Sequence, residues 1–275
     1  MATKKAVSKS VKTSANKPTV TATKTSTVKA VRATGSKNLV GSVLKKAPFI
    51  GTLVAEFIGT LLLAVAFIAG QGQPIIVLFA IAGIVLLVGT LSGAHLNPAV
   101  TIGAWVTRRI SGLRALGYVI AQFLGALAAL GMLSAFIGGA PAVDASAQAY
   151  GQAAPALFHA ATMPAGKEWY VFFAELVGTI VVGFTMASAL REKKDRVAAA
   201  LTVGLGVFTA LLLAASAASY VSGSAILNPA VAMSLSALKW QVWPLAVYVL
   251  APVIGGVVGF FLQDLLQVES DGGNN

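Results

Sequence analysis

Two stretches of this chain share the sequence Leu-Asn-Pro-Ala-Val, and each follows a long apolar run. Their shared residues include Asn97, Pro98 and Ala99 in the first stretch and Asn228, Pro229 and Ala230 in the second. One Asn-Pro pair would indicate a surface turn, but two in the same apolar setting need another explanation. Asparagine is a favoured N-cap, and proline fits the first helical turn. We therefore expect each stretch to begin a short helix whose asparagine amide can still donate a hydrogen bond to a passing molecule.

Two carboxylates also repeat along the chain. Glu56 stands in Ala-Glu-Phe-Ile-Gly-Thr and Glu175 in Ala-Glu-Leu-Val-Gly-Thr, each well inside an apolar run. A charge at a helix end near the membrane interface is the simplest interpretation. Because carboxylates inside a membrane are costly and usually functional, we favour inward-facing groups that accept backbone N–H groups of a loop, with proton relay as the weaker alternative. His95 is either a packed polar group or, as we expect, part of a vestibule on the cytoplasmic side.

Composition places these residues in a membrane protein. The chain has 57% hydrophobic and 11% charged residues and a mean hydropathy of +0.82, whereas a soluble protein averages about 25% charged residues. It contains no cysteine and two isolated histidines, so we expect neither a metal site nor a cofactor. The sequence offers no nucleophile with a matching base and no phosphate-binding loop, which indicates that the protein is not an enzyme.

Six apolar runs are long enough to cross a bilayer as helices, which takes about 20 residues each. They cover residues 50–69, 74–91, 115–137, 169–189, 197–219 and 243–266. Two shorter apolar pieces begin at the Asn-Pro motifs and cover residues 97–106 and 228–238. They are too short to span and are predicted to be re-entrant half-helices. Seven glycines fit close helix crossings, namely Gly59, Gly83, Gly125, Gly178, Gly204, Gly206 and Gly255.

Basic residues orient the spans. Residues 1–47 hold eleven of the twenty Lys and Arg and no acidic residue, and their polar composition predicts a disordered tail. Seven more basic residues fall between spans two and three and between spans four and five. The positive-inside rule then puts both termini and these loops in the cytoplasm of a multi-pass protein, which we assign to the cell membrane. The tail suits contact with anionic lipids, and we do not expect nucleic acid as a partner.

The chain is built from two repeated halves, residues 48–137 and 168–267, joined by an external loop at 138–167 and followed by a short tail at 268–275. The glutamate motifs lie 119 residues apart and the Asn-Pro motifs 131. Each half holds three spans and one half-helix, and because three is odd the halves are inverted relative to each other. Such repeats place a pathway at the membrane midplane, where the broken helices meet. The positive ends of the helix dipoles there would repel cations.

From about residue 48 to 267 the chain resembles the aquaporin and glycerol-facilitator family, the major intrinsic proteins. The resemblance rests on both Asn-Pro-Ala motifs, the repeated glutamate motif, the stretch from Tyr118 to Gln122, and the stretch from Trp243 to Gly259. It implies an all-α, aquaporin-like bundle of six transmembrane helices and two re-entrant half-helices. It also implies a homotetramer with one pore in each subunit.

One position departs from the family pattern. Family members nearly always have arginine directly after the second Asn-Pro-Ala, and here Val231 stands there. By the resemblance, that arginine forms a narrow outer filter with three partners, which correspond to Val77, Ser216 and Ala225. A one-residue shift in the second loop would replace Ser216 by Ala215. This set has no charge, no ring and little bulk, so the resemblance implies a wide, apolar outer filter.

The predicted function is a passive channel for water and small uncharged solutes, with Asn97 and Asn228 as the central hydrogen-bonding pair. The nearest alternative is a facilitator of glycerol or another neutral solute with little water selectivity, although the aspartate that glycerol facilitators place after the filter arginine is Ala232 here. A secondary transporter that couples protons through Glu56 or Glu175 belongs to a different class, and a non-conducting scaffold to a third. The half-helices carry no ionisable group for a coupling ion, which favours the channel.

Overall fold

The computed structural model describes residues 36–140 and 156–272, with side chains described for residues 48–140 and 156–267. The described residues form helices and loops, without a strand. The helices are α1 (Ser36–Ala69), α2 (Pro74–Ser92), α3 (Pro98–Val106), α4 (Gly112–Gly138), α5 (Glu168–Ala189), α6 (Arg196–Ser219), α7 (Pro229–Ser234), α8 (Val242–Leu245) and α9 (Ala251–Gly272). A π-helical turn, Ala246–Leu250, joins α8 to α9.

Six helical segments are long and apolar enough to cross a membrane, which confirms the six predicted spans. They are Pro48–Ala69, Pro74–Ser92, Gly112–Gly138, Glu168–Ala189, Arg196–Ser219 and Val242–Gln267. The last span contains the π-helical turn just before Pro252. Proline has no N–H to donate to the preceding turn and its ring crowds that turn, so the wider turn accommodates it inside a continuous span.

The two short helices begin at the Asn-Pro motifs, but the second is shorter than predicted. α3 covers the predicted half-helix, whereas α7 ends at Ser234 and not at the end of the apolar run. Ser236 takes a left-handed conformation with φ of 59°, and the N–H of Ala237 donates to the carbonyl of Ala232 (3.0 Å). This hydrogen-bond pattern terminates a helix. Because serine rather than glycine holds the left-handed position, no residue type in the sequence marks this helix end.

Both described ends of the chain are more helical than the sequence predicted. α1 begins at Ser36, so residues 36–47 of the predicted disordered tail are helical, and α9 continues to Gly272. Each segment adjoins a spanning helix, and a helix that is already nucleated extends at low cost. The rest of the predicted tail (1–35), much of the predicted external loop (141–155) and residues 273–275 lie outside the described residues.

Glycines allow the helices within each half to cross closely. A Cβ atom at Gly125 of α4 would overlap the carbonyl of Phe57 in α1, and one at Gly255 of α9 would lie 2.5 Å from the carbonyl of Leu176 in α5. Phe57 and Leu176 each follow a repeated glutamate directly, so the two crossings occupy equivalent places in the repeat. At six of the seven predicted packing glycines, an added Cβ would have an atom of another helix or loop within 3.0 Å. Gly83 is the exception, because nothing lies within 4 Å of its Cβ position.

Candidate pore

The asparagines of the two motifs cap the half-helices that they precede. Oδ1 of Asn97 accepts a hydrogen bond from the N–H of Ala99 (2.9 Å). Oδ1 of Asn228 accepts from the N–H groups of Ala230 (3.0 Å) and Val231 (3.3 Å). In both motifs the side-chain oxygen is thus used within its own half-helix, in the way an N-cap satisfies free backbone donors.

Each asparagine also donates to the opposite loop. Nδ2 of Asn97 donates to the carbonyl of Leu227 (2.8 Å), and Nδ2 of Asn228 donates to the carbonyl of Leu96 (2.9 Å). An amide carries two N–H donors, so one on each side chain has no acceptor among the described residues. Both side chains line the same cavity. Two free donors are therefore available to a molecule inside it.

The carboxylate of Glu175 holds the second loop. Its Oε1 accepts from the N–H of Ile226 (2.6 Å) and its Oε2 from the N–H of Leu227 (2.9 Å). The side chain is fully buried. Loop N–H groups inside an apolar bundle have no water to bond, and each would cost free energy if left without an acceptor. One carboxylate satisfies two of them.

The carboxylate of Glu56 holds the first loop in the same way and has a further partner. It accepts from the N–H groups of His95 (2.9 Å) and Leu96 (2.8 Å), and Nε2 of Gln122 donates to it at 2.8 Å. The same Nε2 donates to the hydroxyl of Thr101 (2.8 Å). The two halves therefore share the carboxylate-to-loop contacts, while the side-chain amide belongs to the first half alone.

His95 belongs to this polar network and is fixed on two sides. Its Nδ1 lies 3.3 Å from the hydroxyl of Thr101, and its ring meets that of Tyr118 edge-on at 5.3 Å between centroids. The Tyr118 hydroxyl in turn donates to the carbonyl of Ser92 (2.8 Å). His95 lines the central cavity and also the mouth described below, so the structure places it at the junction between the two.

A leucine precedes each asparagine in an unusual conformation. Leu96 and Leu227 have φ of 54° and 62°, a left-handed backbone that costs a non-glycine residue on the order of 1–3 kcal/mol. Their side chains fill the space beside the glycines of the repeated glutamate motifs. A Cβ at Gly59 would overlap the Leu96 side chain, and one at Gly178 would lie 2.6 Å from that of Leu227. The glycine of the motif therefore makes room for the strained leucine of the loop.

The central cavity between the half-helices is narrow and mostly apolar. Asn97, Asn228, His95 and Thr185 are its polar lining, and the remaining lining is apolar, including Val77. It offers about 30 Å³ to water-sized molecules. One water needs about 10–15 Å³ of such space, so two or three waters fill it.

Two capped half-helices that meet inside the bundle, each with an asparagine amide in one cavity, form the geometry that the sequence resemblance implied. A family model described as Major intrinsic protein matches residues 43–263. The chain belongs to the major intrinsic protein family. With six spanning segments, this member of the family is an integral, multi-pass membrane protein.

Named relatives and a solved structure match most of the length of this chain. Aquaporin AqpM from Methanothermobacter marburgensis is 30% identical over 257 residues, covering 81% of this chain and 96% of the relative. Glycerol uptake facilitator protein-like 6 from Lactiplantibacillus plantarum is 29% identical, with 81% and 97% covered. An X-ray structure of the aquaglyceroporin from Plasmodium falciparum matches with a TM-score of 0.62 at 20% identity, with 81% and 99% covered. The predicted aquaporin-like fold is confirmed.

The residues predicted for the outer filter do not all line one cavity of this major intrinsic protein. Val77 lines the central cavity, and Ala225 lines a second cavity, here called the outer cavity. Ser216 is exposed on α6 and lines neither, whereas its neighbour Ala215 lines the outer cavity. Of the two residues that the sequence left open, Ala215 therefore faces a cavity and Ser216 does not, because one residue turns a helix by about 100°. Val231 is fully buried and lines neither cavity.

Sequence reasoning missed Phe67. This α1 residue lines the central cavity and the outer cavity, and its side chain is buried. The predicted filter has no ring, whereas Phe67 brings a ring to both cavities from a helix to which the family spacing does not point. Phe67 lies within a continuous apolar run, where nothing in the local pattern separates a pore-facing phenylalanine from a packed one.

The cavity at the opposite end, here called the basic mouth, is wide and charged. It offers about 910 Å³, and its lining includes His95, Arg109, Arg191, Lys193 and Asp264. Of the residues that line it, Asp264 is the acidic one. Three basic side chains against one carboxylate leave the mouth positive.

Asp264 joins three separate parts of the chain at the basic mouth. Its Oδ1 accepts from Nη2 of Arg109 at 2.6 Å and also from Nη2 of Arg191. Arg109 follows α3, Arg191 follows α5, and Asp264 lies on α9. Arg109 donates further to the carbonyl of Ala187 (2.8 Å) and stacks over the ring of Phe260 at 5.0 Å. We call Arg109, Arg191 and Asp264 the mouth clamp.

The loop that carries Arg191 is closed by its own acidic residues. The carboxylate of Glu192 accepts from the backbone N–H groups of Asp195 (2.9 Å) and Lys194 (2.7 Å), and these hydrogen bonds lower its pKa below the usual range. Oδ1 of Asp195 caps α6 by accepting from Val197 and Ala198, each at 2.9 Å. The loop is thus short and internally bonded.

Proposed function

We propose that this protein is a passive, bidirectional channel for water and small uncharged solutes. The observation that carries the proposal is the pair of asparagine amides, Asn97 and Asn228, each with one free donor in the central cavity. A neutral molecule that passes them exchanges hydrogen bonds with water for hydrogen bonds with the two amides. The relatives support this class of function, since they are named as aquaporins and as a glycerol uptake facilitator.

The buried carboxylates speak against proton-coupled transport. Both oxygens of Glu56 and of Glu175 accept from loop N–H groups, and neither residue lines the central or the outer cavity. A proton relay needs a carboxylate that exchanges protons with the pathway, and these two have no such contact. Their geometry supports a positioning role, in which their hydrogen bonds hold the re-entrant loops in place.

The solute class follows from the absence of the filter arginine. Val231 offers no fixed charge or donor, so the proposed selectivity for small neutral molecules depends on the central amides and on the apolar walls around Val77, Ala215 and Ala225. We propose that water passes without strict water selectivity and that glycerol is not a dedicated substrate, because Ala232 offers no carboxylate to a polyol.

We further propose that the protein is a homotetramer of the cell membrane, surrounded by lipid, with both termini in the cytoplasm. The mouth clamp supports this orientation, because it brings the two basic loops and the C-terminal end of α9 to one side. Six spans return the chain to the side from which it starts, and the positive-inside rule makes that side cytoplasmic. The basic segment 1–47 would then lie beside anionic lipid headgroups.

Osmotic light scattering of proteoliposomes tests the channel. We expect linear, non-saturating permeability to water and to small solutes such as urea, independent of a pH gradient. Asn97→Asp keeps the capping oxygen but removes the amide donor and adds a negative charge, so water permeability should fall about tenfold, equal to about 1.4 kcal/mol in the barrier. Gln73→Glu is the matched control, because it makes the same amide-to-acid change at an exposed residue that lines neither the central nor the outer cavity.

Two outcomes would contradict the channel. Solute flux that saturates, or that follows an imposed pH gradient, would indicate a transporter. Permeability no greater than that of empty liposomes for every solute would indicate a non-conducting scaffold.

A further inference from the structure

The central and outer cavities have two lining residues in common, Phe67 and Ile226. Both side chains are buried, with exposed fractions of 4% and 3%. Three residues discussed for the outer filter line one cavity each. Val77 lines the central cavity, and Ala215 and Ala225 line the outer cavity. A solute that moves between the two cavities therefore passes the Phe67 ring and the Ile226 side chain.

Phe67 is the largest side chain at this junction, and it is rigid. Val77, Ala215 and Ala225 have small side chains that fill little of the passage. The Phe67 ring therefore determines how wide the passage is. Among the residues that line the central cavity, Phe67 is the sole phenylalanine, tyrosine or tryptophan. The outer cavity offers about 170 Å³ to water-sized molecules against about 30 Å³ in the central one, and Phe67 lines both.

The chemistry of the junction is apolar as well as narrow. A phenyl ring and a branched alkyl group offer no hydrogen bond to a polyol hydroxyl, and removing such a group from water without replacing its hydrogen bond is costly. Each additional hydroxyl on a solute adds to that cost. Water is the smallest polar solute and a compact amide is smaller than a polyol, and the free asparagine donors that replace their lost hydrogen bonds line the same central cavity as the ring.

We propose that Phe67 sets the solute limit of the pore, acting as an aromatic constriction on α1 in place of a filter centred on position 231. The constriction admits water and compact neutral solutes and excludes polyols of glycerol size and larger. This inference rests on the proposed channel function. It also replaces the wide outer filter that the sequence suggested with a narrow, apolar one.

The test is the ratio of glycerol to water permeability in proteoliposomes, measured for variants that change the size of residue 67. Phe67→Ala should raise the ratio about tenfold, Phe67→Leu should raise it less, and Phe67→Trp should lower it. Phe158→Ala is the matched control, since Phe158 lines the outer cavity alone, and its ratio should equal that of the wild type. Protein content and detergent monodispersity establish that each variant is folded.

The outcomes separate this inference from the channel itself. If the wild type conducts water but the ratio is the same in the alanine, leucine and tryptophan variants, the constriction is elsewhere and the inference is overturned. If Phe158→Ala raises the ratio as much as Phe67→Ala, the outer cavity as a whole limits the solute, which also overturns it. If the wild type and all variants are as impermeable as empty liposomes, the proposed function fails.

Discussion

At the scale of single residues, the two buried glutamates take the place of water for the loop backbone inside the bundle. Glu175 accepts from two backbone N–H groups and has no other side-chain partner among the described residues. Glutamine at this position keeps one acceptor oxygen and turns its NH₂ group toward a second donor. At least one buried N–H then loses its acceptor, which costs about 1–3 kcal/mol.

We therefore expect Glu175→Gln to lower the apparent unfolding temperature of the detergent-solubilised protein by several degrees. Glu56→Gln should lower it further, because Glu56 also accepts from the amide of Gln122. Glu168→Gln is the control, since Glu168 belongs to the same helix as Glu175 but is only half-buried at its first turn. Equal unfolding temperatures for Glu175→Gln and Glu168→Gln would show that the loop does not depend on the buried carboxylate.

Sequence reasoning reached the residues that carry a local signature and missed those that do not. Asn97, Asn228 and the glutamates stand in repeated motifs, and the structure brings each of them to the half-helix loops. Phe67 carries no such signature, because an apolar run looks the same whether a side chain packs or faces a pore. The family spacing leaves Ser216 and Ala215 open, and only Ala215 lines the outer cavity, because one residue turns a helix by about 100°.

At the scale of elements, the crossing of α5 with α9 depends on glycine. A Cβ at Gly259 would overlap the carbonyl of Ile180 and lie 2.5 Å from the backbone N of Phe184, and one at Gly183 would lie 2.5 Å from the carbonyl of Gly256. Backbone atoms on the facing helix do not rotate away as a flexible side chain would. The helices would have to separate to admit even one methyl group.

Gly259→Ala should therefore destabilise the protein, by about 1–3 kcal/mol as for other overpacked sites. Gly131→Ala on α4 is the matched control, because nothing lies within 4 Å of its Cβ position, and alanine there should be neutral or stabilising by up to about 1 kcal/mol. Thermal unfolding of both variants in the same detergent measures the difference. An unchanged unfolding temperature for Gly259→Ala would contradict the close crossing.

The spans could be predicted because length and hydropathy alone define them. The first residues of the half-helices could also be predicted, because Asn-Pro favours a helix N-terminus. The end of α7 could not, since its left-handed residue is Ser236 rather than a glycine. Composition alone predicts disorder for residues 36–47, but the spanning helix that follows lowers the cost of extending α1 toward Ser36.

At the scale of the whole molecule, the mouth clamp connects the inverted halves where the pore meets solvent. Arg109 comes from the first half, and Arg191 and Asp264 come from the second. The basic loops on which the proposed orientation rests also line the mouth, so the proposed orientation and the proposed repulsion of cations depend on the same residues. The charges of these loops are visible in the sequence. That Asp264 forms ion pairs with both Arg109 and Arg191 is visible only in the structure.

Removing one arm of the clamp should loosen the loop between α5 and α6. In Arg109→Gln, Asp264 loses its less exposed arginine partner, and the contacts of Arg109 with Ala187 and Phe260 are lost with it. We expect trypsin to cut detergent-solubilised Arg109→Gln faster than wild type at Arg191 and the lysines that follow, as measured by mass spectrometry of the fragments. Arg108→Gln is the matched control, because the side chain of Arg108 is exposed and makes no hydrogen bond or ion pair with a described residue. Equal cleavage rates in the two variants would mean that the loop holds its position by its internal Glu192 and Asp195 hydrogen bonds alone, without the contact between the halves.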